Sequence, residues 1–175
     1  MYYNTTDTKC LLLLPLDDAI WLLRRFIMEI LKISRGVYMQ ICNTLGKNPP
    51  ECGGVLGARE NDQITEFYFD ETGKSSSTGY APDVVAINNM LVNDWMPNGI
   101  LMVGIVHSHA NQNKIPSCMD VEYGIRILRA LDTVDEFYIP IVTVAEQDVQ
   151  ITGYVILRDK KNGFSCKQIE CVIIG

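Results

Sequence analysis

No stretch of this chain is both long and apolar enough to cross a bilayer. Residues 19–33 come nearest, but Arg24, Arg25, Glu29 and Lys32 interrupt them, which fits a soluble amphipathic element. The run Cys10-Leu-Leu-Leu-Leu14 is short and only Lys9 is basic before it, so no signal peptide is expected. No cluster of Lys and Arg occurs, and the formal net charge of −6 argues against a nucleic-acid partner. There is no CxxC. The six cysteines, at 10, 42, 52, 118, 166 and 171, are too dispersed for a disulfide framework, so reduced thiols in a cytoplasmic protein are expected. Internal repeats and low-complexity segments are missing as well. Gly73-Lys-Ser looks like the end of a phosphate loop, but Tyr68 stands where that loop needs its first glycine. Histidine is the scarcest polar residue of all: the chain has two, His107 and His109.

What is present suits one domain with a proper core: 175 residues, 47% of them apolar. Residues 11–14 suggest a short strand, and Asp17 or Asp18 a cap for a helix carrying Leu23, Phe26, Ile27 and Ile30. Ser34 caps a further helix with Val37, Ile41 and Leu45 on one face, ended by Gly46 and Pro49-Pro50. Strands are expected over residues 53–58 and 64–69, and a flexible loop over 73–79. Pro82 suits a helix start, with Val84, Ile87, Leu91 and Trp95 as the buried face. Residues 100–106 read as a buried strand and 118–131 as a helix turning Val121, Ile125, Leu128 and Leu131 inward. Residues 137–144 and 150–157 read as strands, the first nearly all apolar and therefore central, and 167–174 as a last edge strand. Glycines in strand 53–58 weaken it unless a packed helix or a substrate backbone must come close.

The chemistry gathers between residues 104 and 120. Side chains at i and i+2 point to one side of an extended chain, so His107 and His109, at a strand's end, aim two imidazoles at one point. Asp120 offers a carboxylate from the first turn of the following helix. Two nitrogens and one oxygen, with a fourth position open, make the ligand set of a catalytic zinc rather than a structural one. The plainer reading is a helix cap, since Ser117-x-x-Asp120 before an apolar helix is also a capping pattern, with two loop histidines upstream. Ser108, between the histidines, points the other way and reads as structural.

His107-Ser108-His109, seven residues, then Ser117-x-x-Asp120, with Glu51-Cys-Gly53-Gly54-Val-Leu56-Gly57 upstream, resembles the signature of the JAMM (MPN-plus) zinc metalloproteases. The resemblance covers roughly residues 29–157; Ala110 stands where many members have proline. It implies an α/β fold with a mixed, largely antiparallel central sheet flanked by helices, residues 29–175 as the metalloprotease domain and residues 1–28 as an N-terminal extension packed on it or leading into it. It also implies one zinc on His107, His109 and Asp120, Glu51 as general acid–base, and Ser117 as hydrogen-bond donor to the oxyanion of the tetrahedral intermediate.

The family acts mostly on the peptide or isopeptide bond after the C-terminal glycine of ubiquitin or a ubiquitin-like protein. Stand-alone prokaryotic members sit beside E1- and E2-like proteins in conjugation and anti-phage operons, or trim ubiquitin-fold sulfur carriers. An active zinc isopeptidase is therefore expected, with a ubiquitin-like protein or its conjugate as partner, E1- and E2-like neighbours, and no nucleic acid or membrane. The alternative is an inactive scaffold of the same fold that only binds a ubiquitin-like partner; such scaffolds usually lack a ligand, and all five positions are filled here. A zinc deaminase is excluded on ligands, since Pro116-Ser-Cys-Met-Asp120 has serine and aspartate where two cysteines are required.

Overall fold

Ser34 closes one strand and opens one helix, and the core is laid down around that junction. The computed structural model describes residues 30–175 apart from 48–49, 60–62, 78, 132–133, 147 and 160–162, and the backbone alone of Asn111. The chain divides into two units, Met1–Ile30 and Leu31–Gly175. The expected strand at 11–14, the extension over residues 1–28 and all but the last position of the helix after Asp17 or Asp18 lie outside the described residues; Ile30, expected on that helix, instead begins a strand.

Strand β1 (Ile30–Ser34) buries Leu31 and Ile33 on one side by simple alternation. Ser34 then accepts a hydrogen bond from the Val37 amide at 3.3 Å and starts α1 (Arg35–Thr44). Val37 and Ile41 recur at helical spacing and are buried, and Leu45 continues their stripe in a tight 3-10 turn, Leu45–Lys47. Strand β2 (Gly53–Ala58) is buried along its whole length between β3 (Gln63–Phe69) and β6 (Leu101–Ser108), both antiparallel to it.

Residues 73–79 were expected to form a loop. They instead contribute to a hairpin of β4 (Lys74–Ser76) and β5 (Gly79–Ala81), a small sheet of its own. Helix α2 (Val84–Met90) begins at Asp83, whose carboxylate accepts from the Val85 and Ala86 amides, and not at Pro82. It runs on through a wide π turn, Leu91–Trp95, and a 3-10 turn, Met96–Asn98, that ends on Gly99 in the left-handed region. Ile87 and Trp95 are buried as expected, but Val84 is exposed.

Beyond β6 come α3 (Cys118–Ala130), β7 (Glu136–Tyr138), β8 (Ile141–Ala145), β9 (Asp148–Asp159) and β10 (Gly163–Ile174). The expected single strand at 137–144 is two, broken around Pro140, which has no amide to give to a ladder. Both pieces lie between β6, to which they are parallel, and β9, to which they are antiparallel. The last strand is longer than expected and is not an edge: β10 pairs with β9 and with β1. The order β10-β1-β3-β2-β6-β7-β9 thus returns on itself, in a mixed sheet that is mostly antiparallel.

Three apolar clusters fill the two faces. Alternation along β6 sends Val106 to the α1 side with Leu56, Ile41 and Val142, and Ile105 to the α3 side with Leu128, Phe137 and Ile156. Val55, Ile87, Trp95 and Ile100 form the third, where α2 and its extension lie on β2. Among the described residues no helix is long and apolar enough to cross a membrane.

Candidate metal centre

The register of β6 decides where the two histidines point. His107 follows Ile105 by two residues and shares its side of the strand, the side covered by α3. His109 lies just past the strand, held by its own amide to the Val142 carbonyl at 2.9 Å. Ser108, between them, faces away: its hydroxyl donates to the Cys52 carbonyl (3.3 Å) and accepts from the Cys52 amide (3.1 Å), while its own amide bonds the same carbonyl (2.8 Å). The histidine loop is therefore clamped to the start of β2.

Helix α3 brings the third group. Ser117 and Asp120 form a reciprocal cap, the Asp120 amide donating to Ser117 Oγ at 3.2 Å and the Ser117 amide to Asp120 Oδ2 at 2.6 Å. At the other end the Arg158 guanidinium donates to the carbonyls of Leu128 and Leu131, a cation where the helix dipole is negative. With Leu128 fully buried between, the helix has little freedom to move Asp120.

The three groups meet. His107 Nε2 is 2.9 Å from His109 Nε2; Asp120 Oδ1 is 3.3 Å from His107 Nε2 and Oδ2 is 3.5 Å from His109 Nε2. Tetrahedral ligands at about 2.0–2.1 Å from one zinc stand roughly 3.3 Å apart, so the spacing fits such an ion. The donors fit as well. His109 Nδ1 lies 2.9 Å from the Asn113 carbonyl, which can only accept, so Nδ1 carries a proton and a neutral ring turns its Nε2 lone pair inward. A lone pair, a second imidazole nitrogen and a carboxylate converging on one point call for a cation. Among the described residues, these three are the only grouped His, Cys, Asp or Glu side chains that could hold a metal ion.

The charges agree with the geometry. Burial works against the Asp120 anion, yet hydrogen bonds from His107 and His109 outweigh it and hold this carboxyl well below the usual carboxylate range. Burial likewise pulls on His109, but the Asp120 carboxylate, the Asn113 carbonyl and the charge of Glu51 prevail and leave its pKa raised.

Of the other residues singled out from sequence, Glu51 sits just before β2. The β2–β6 register pairs Gly53 with His107, and two residues further on it brings Glu51 opposite His109. Its Oε1 accepts from the Ala110 amide at 3.0 Å, a donor that proline would not have. Ser117 lies at the edge of the three groups as the N-cap of α3, and its side chain also helps to hold the Asp120 carboxyl ionised.

Of the glycines of β2, Gly57 makes the room for a packed helix that was one of the two reasons expected, whereas Gly53 and Gly54 lie against neighbouring strands and the hairpin. A Cβ at Gly53 would strike the Tyr80 ring, one at Gly54 the Tyr68 carbonyl and Phe67, one at Gly57 Trp95 and Ile100. They make room for the protein's own side chains, and β2 has strands on both edges. Sequence reading overlooked Asn113, Asp70 and Tyr80. Asn113 acts through its backbone and leaves no side-chain signal, whereas an acid directly after the apolar strand 64–69 is a signal that could have pointed to Asp70.

The sequence profile of prokaryotic homologs of the JAB domain matches residues 41–152, which span β2, β6, the histidine loop and α3. No curated protein matches. Among solved structures, a protein from Desulfitobacterium hafniense is similar with a TM-score of 0.57 at 19% identity, covering 83% of this chain and 92% of that one. A JAB1/MPN domain protein from Archaeoglobus fulgidus has a TM-score of 0.45 at 21% identity, covering 82% and 97%.

Proposed function

From the premise that this chain belongs to the family of prokaryotic JAB-domain homologs, we propose that it is a zinc-dependent hydrolase that cleaves the peptide or isopeptide bond after the C-terminal glycine of a ubiquitin-like protein. The observation that carries this reading is the convergence of His107 Nε2, His109 Nε2 and Asp120 within 3.5 Å, with the Glu51 carboxylate held by the amide of Ala110, the residue after His109.

His107, His109 and Asp120 would hold the ion. When bound, zinc supplies a Lewis acid and lowers the pKa of a coordinated water to about 7. Glu51 takes the proton of the attacking water and returns it to the leaving amine, while the Ala110 amide keeps the carboxylate turned to the site. Ser117 turns its hydroxyl proton from the Asp120 carboxylate to the oxyanion, while its Oγ keeps the Asp120 amide as donor.

An extended substrate tail has no edge to pair with at β2. The β4–β5 hairpin supports the alternative, since among the described residues neither strand belongs to a larger sheet and the Glu51 amide donates to the Ser76 carbonyl of β4 at 2.8 Å. Backbone pairing along this hairpin would seat a small-residue tail across the site, with the segment 71–82 touching the modifier's folded body. Partners of this activity would be the ubiquitin-like protein or its conjugate, and E1- and E2-like proteins that make it.

The test is a ubiquitin-fold protein fused through its terminal glycine to a reporter. Cleavage after glycine is expected, abolished by chelator and lowered by about 10²–10⁴-fold in Glu51→Gln. Equal cutting when that glycine is leucine, or of unstructured peptides, would make it a general peptidase. Tight binding of the modifier with no cleavage by the zinc-loaded protein would make it a scaffold.

A further inference from the structure

Asp70 is the one carboxylate buried away from the three converging groups among the described residues, only 2% exposed. It follows β3 directly, and its own amide donates to the Gly53 carbonyl at 3.0 Å, which ties it to the start of β2. Its Oδ2 accepts the Tyr80 hydroxyl at 2.5 Å and the Asp83 amide at 2.8 Å. One residue thus joins β2 through its amide, and the β4–β5 hairpin and the entry to α2 through its carboxylate. Tyr80 is fixed a second time, because its ring fills the space where Gly53 lacks a side chain. Burial, and then the Asp70 carboxylate, push the Tyr80 hydroxyl far above its ordinary pKa, so it remains a donor at any working pH.

The hairpin fixed in this way holds Glu51. Ser75 is paired with Tyr80 across the hairpin, and the next residue, Ser76, gives its carbonyl to the Glu51 amide at 2.8 Å. Glu51 is therefore gripped at two points, its backbone by the hairpin and its carboxylate by the Ala110 amide. We infer that Tyr80 and Asp70 are positioning residues for Glu51: the buried Tyr80–Asp70 hydrogen bond locks the β4–β5 hairpin, and the hairpin sets the direction of the Glu51 carboxylate. This rests on the role proposed above for Glu51. It extends that role to two residues whose side chains lie outside the three converging metal-binding groups.

Tyr80→Phe removes the hydroxyl and keeps the ring over Gly53. In the zinc-loaded full chain, the Glu51 amide should exchange with solvent about tenfold faster than in wild type. The amide resonance of Ala110, which reports on the Glu51 carboxylate, should move. Zinc content should not. On the fusion substrate kcat should fall by about 10- to 100-fold, the scale of a misdirected catalytic group, while any loss of tail pairing along the hairpin is read separately in KM. In the Glu51→Gln background the same change should cost nothing further, since the group it directs is already gone. Should Tyr80→Phe fail to fold, Asp70→Asn weakens the same contact without emptying the site, and the same readings apply. A folded variant with wild-type Glu51 exchange and an unmoved Ala110 resonance would overturn the inference. So would equal losses of kcat with and without Glu51. If the wild-type protein cleaves nothing, the functional reading falls, and the exchange and resonance measurements still decide whether Tyr80 positions Glu51.

Discussion

Two nitrogen atoms 2.9 Å apart, with His109 Nδ1 already committed to the Asn113 carbonyl, set the behaviour expected at the level of single residues. His109→Ala removes one of the three proposed ligands, so protein purified without added metal should carry close to one zinc per chain as wild type and far less as the variant, by elemental analysis. The raised pKa of His109 gives the sign of the pH dependence. A group that holds its proton more tightly than usual makes the metal compete with that proton, so zinc affinity should rise with pH until the pH passes the His109 pKa, above the ordinary value of about 6.5, and level off beyond it. Calorimetry in buffers of different ionisation heat would show proton release on binding below that point and little above it.

Ser117 caps α3 and is proposed to serve the oxyanion, two roles that substitution can separate. Ser117→Ala should cost about 1 kcal/mol of stability through the lost cap and also lose the oxyanion donor, whereas Ser117→Gly should cost only a few tenths while losing the same donor. Equal activity losses with unequal melting temperatures are expected; an activity that tracked melting temperature would leave Ser117 as a cap alone. Ala110→Pro, at the first position of a 3-10 turn where proline's backbone angle is tolerated, tests the amide that grips Glu51: zinc should stay and kcat should drop.

At the level of elements, legibility in the sequence followed regularity. Ser34, Val37, Ile41 and Leu45 announce α1 because a cap and a stripe repeat at one period. The His-Ser-His spacing worked for the same reason, since strand alternation alone separates Ser108 from its neighbours. The misreadings come where the period changes. In an unbroken α-helix Trp95 would stand about 80° around the axis from Ile87. The π turn at Leu91–Trp95 rotates it back to the buried side, so a stripe counted at α spacing wrongly included Val84. The β4–β5 hairpin was illegible because its strands, Lys-Ser-Ser and Gly-Tyr-Ala, are only three residues each, and Tyr80 and Asp70, which fasten it to the core, are ten residues apart. Pro140 should have divided the strand at 137–144, and the extended apolar run hid it.

Helix α3 lies close on the sheet at Gly124, where a Cβ would come within 2.4 Å of Ile156 Cδ1 and 3.3 Å of Ile139 Cγ2, both fully buried. Gly124→Ala should therefore destabilise by about 1–3 kcal/mol despite alanine's better helix propensity. Because Asp120 rides on the same helix, zinc affinity should weaken with it. Measured metal affinity equal to wild type would mean that α3 absorbs the shift at its far end.

Across the whole described unit the sheet has a circular logic, each strand leaning on the next until β10 meets β1. Ile169, on β10, is buried with Leu31, Ile33, Leu45 and Val155 from the rest of that circuit. Ile169→Ala should cost about 2–5 kcal/mol by thermal or denaturant unfolding while leaving zinc stoichiometry intact, since His107, His109 and Asp120 are not among that cluster's residues.

The meeting of β1 with β10 also sets an order in time. During synthesis residues 30–34 leave the ribosome more than a hundred residues before the strand that will flank them, and β1 waits with one neighbour missing. Contacts so distant along the chain close slowly, and exposed strand edges recruit wrong partners in the interval. His107, His109 and Asp120 are all translated before β9 and β10, so they can meet an ion while their scaffold is still open. A nascent chain halted after residue 146 would be expected to expose thiols such as Cys42 and Cys52 to alkylation. The released chain should protect them in step with the arrival of its last strand.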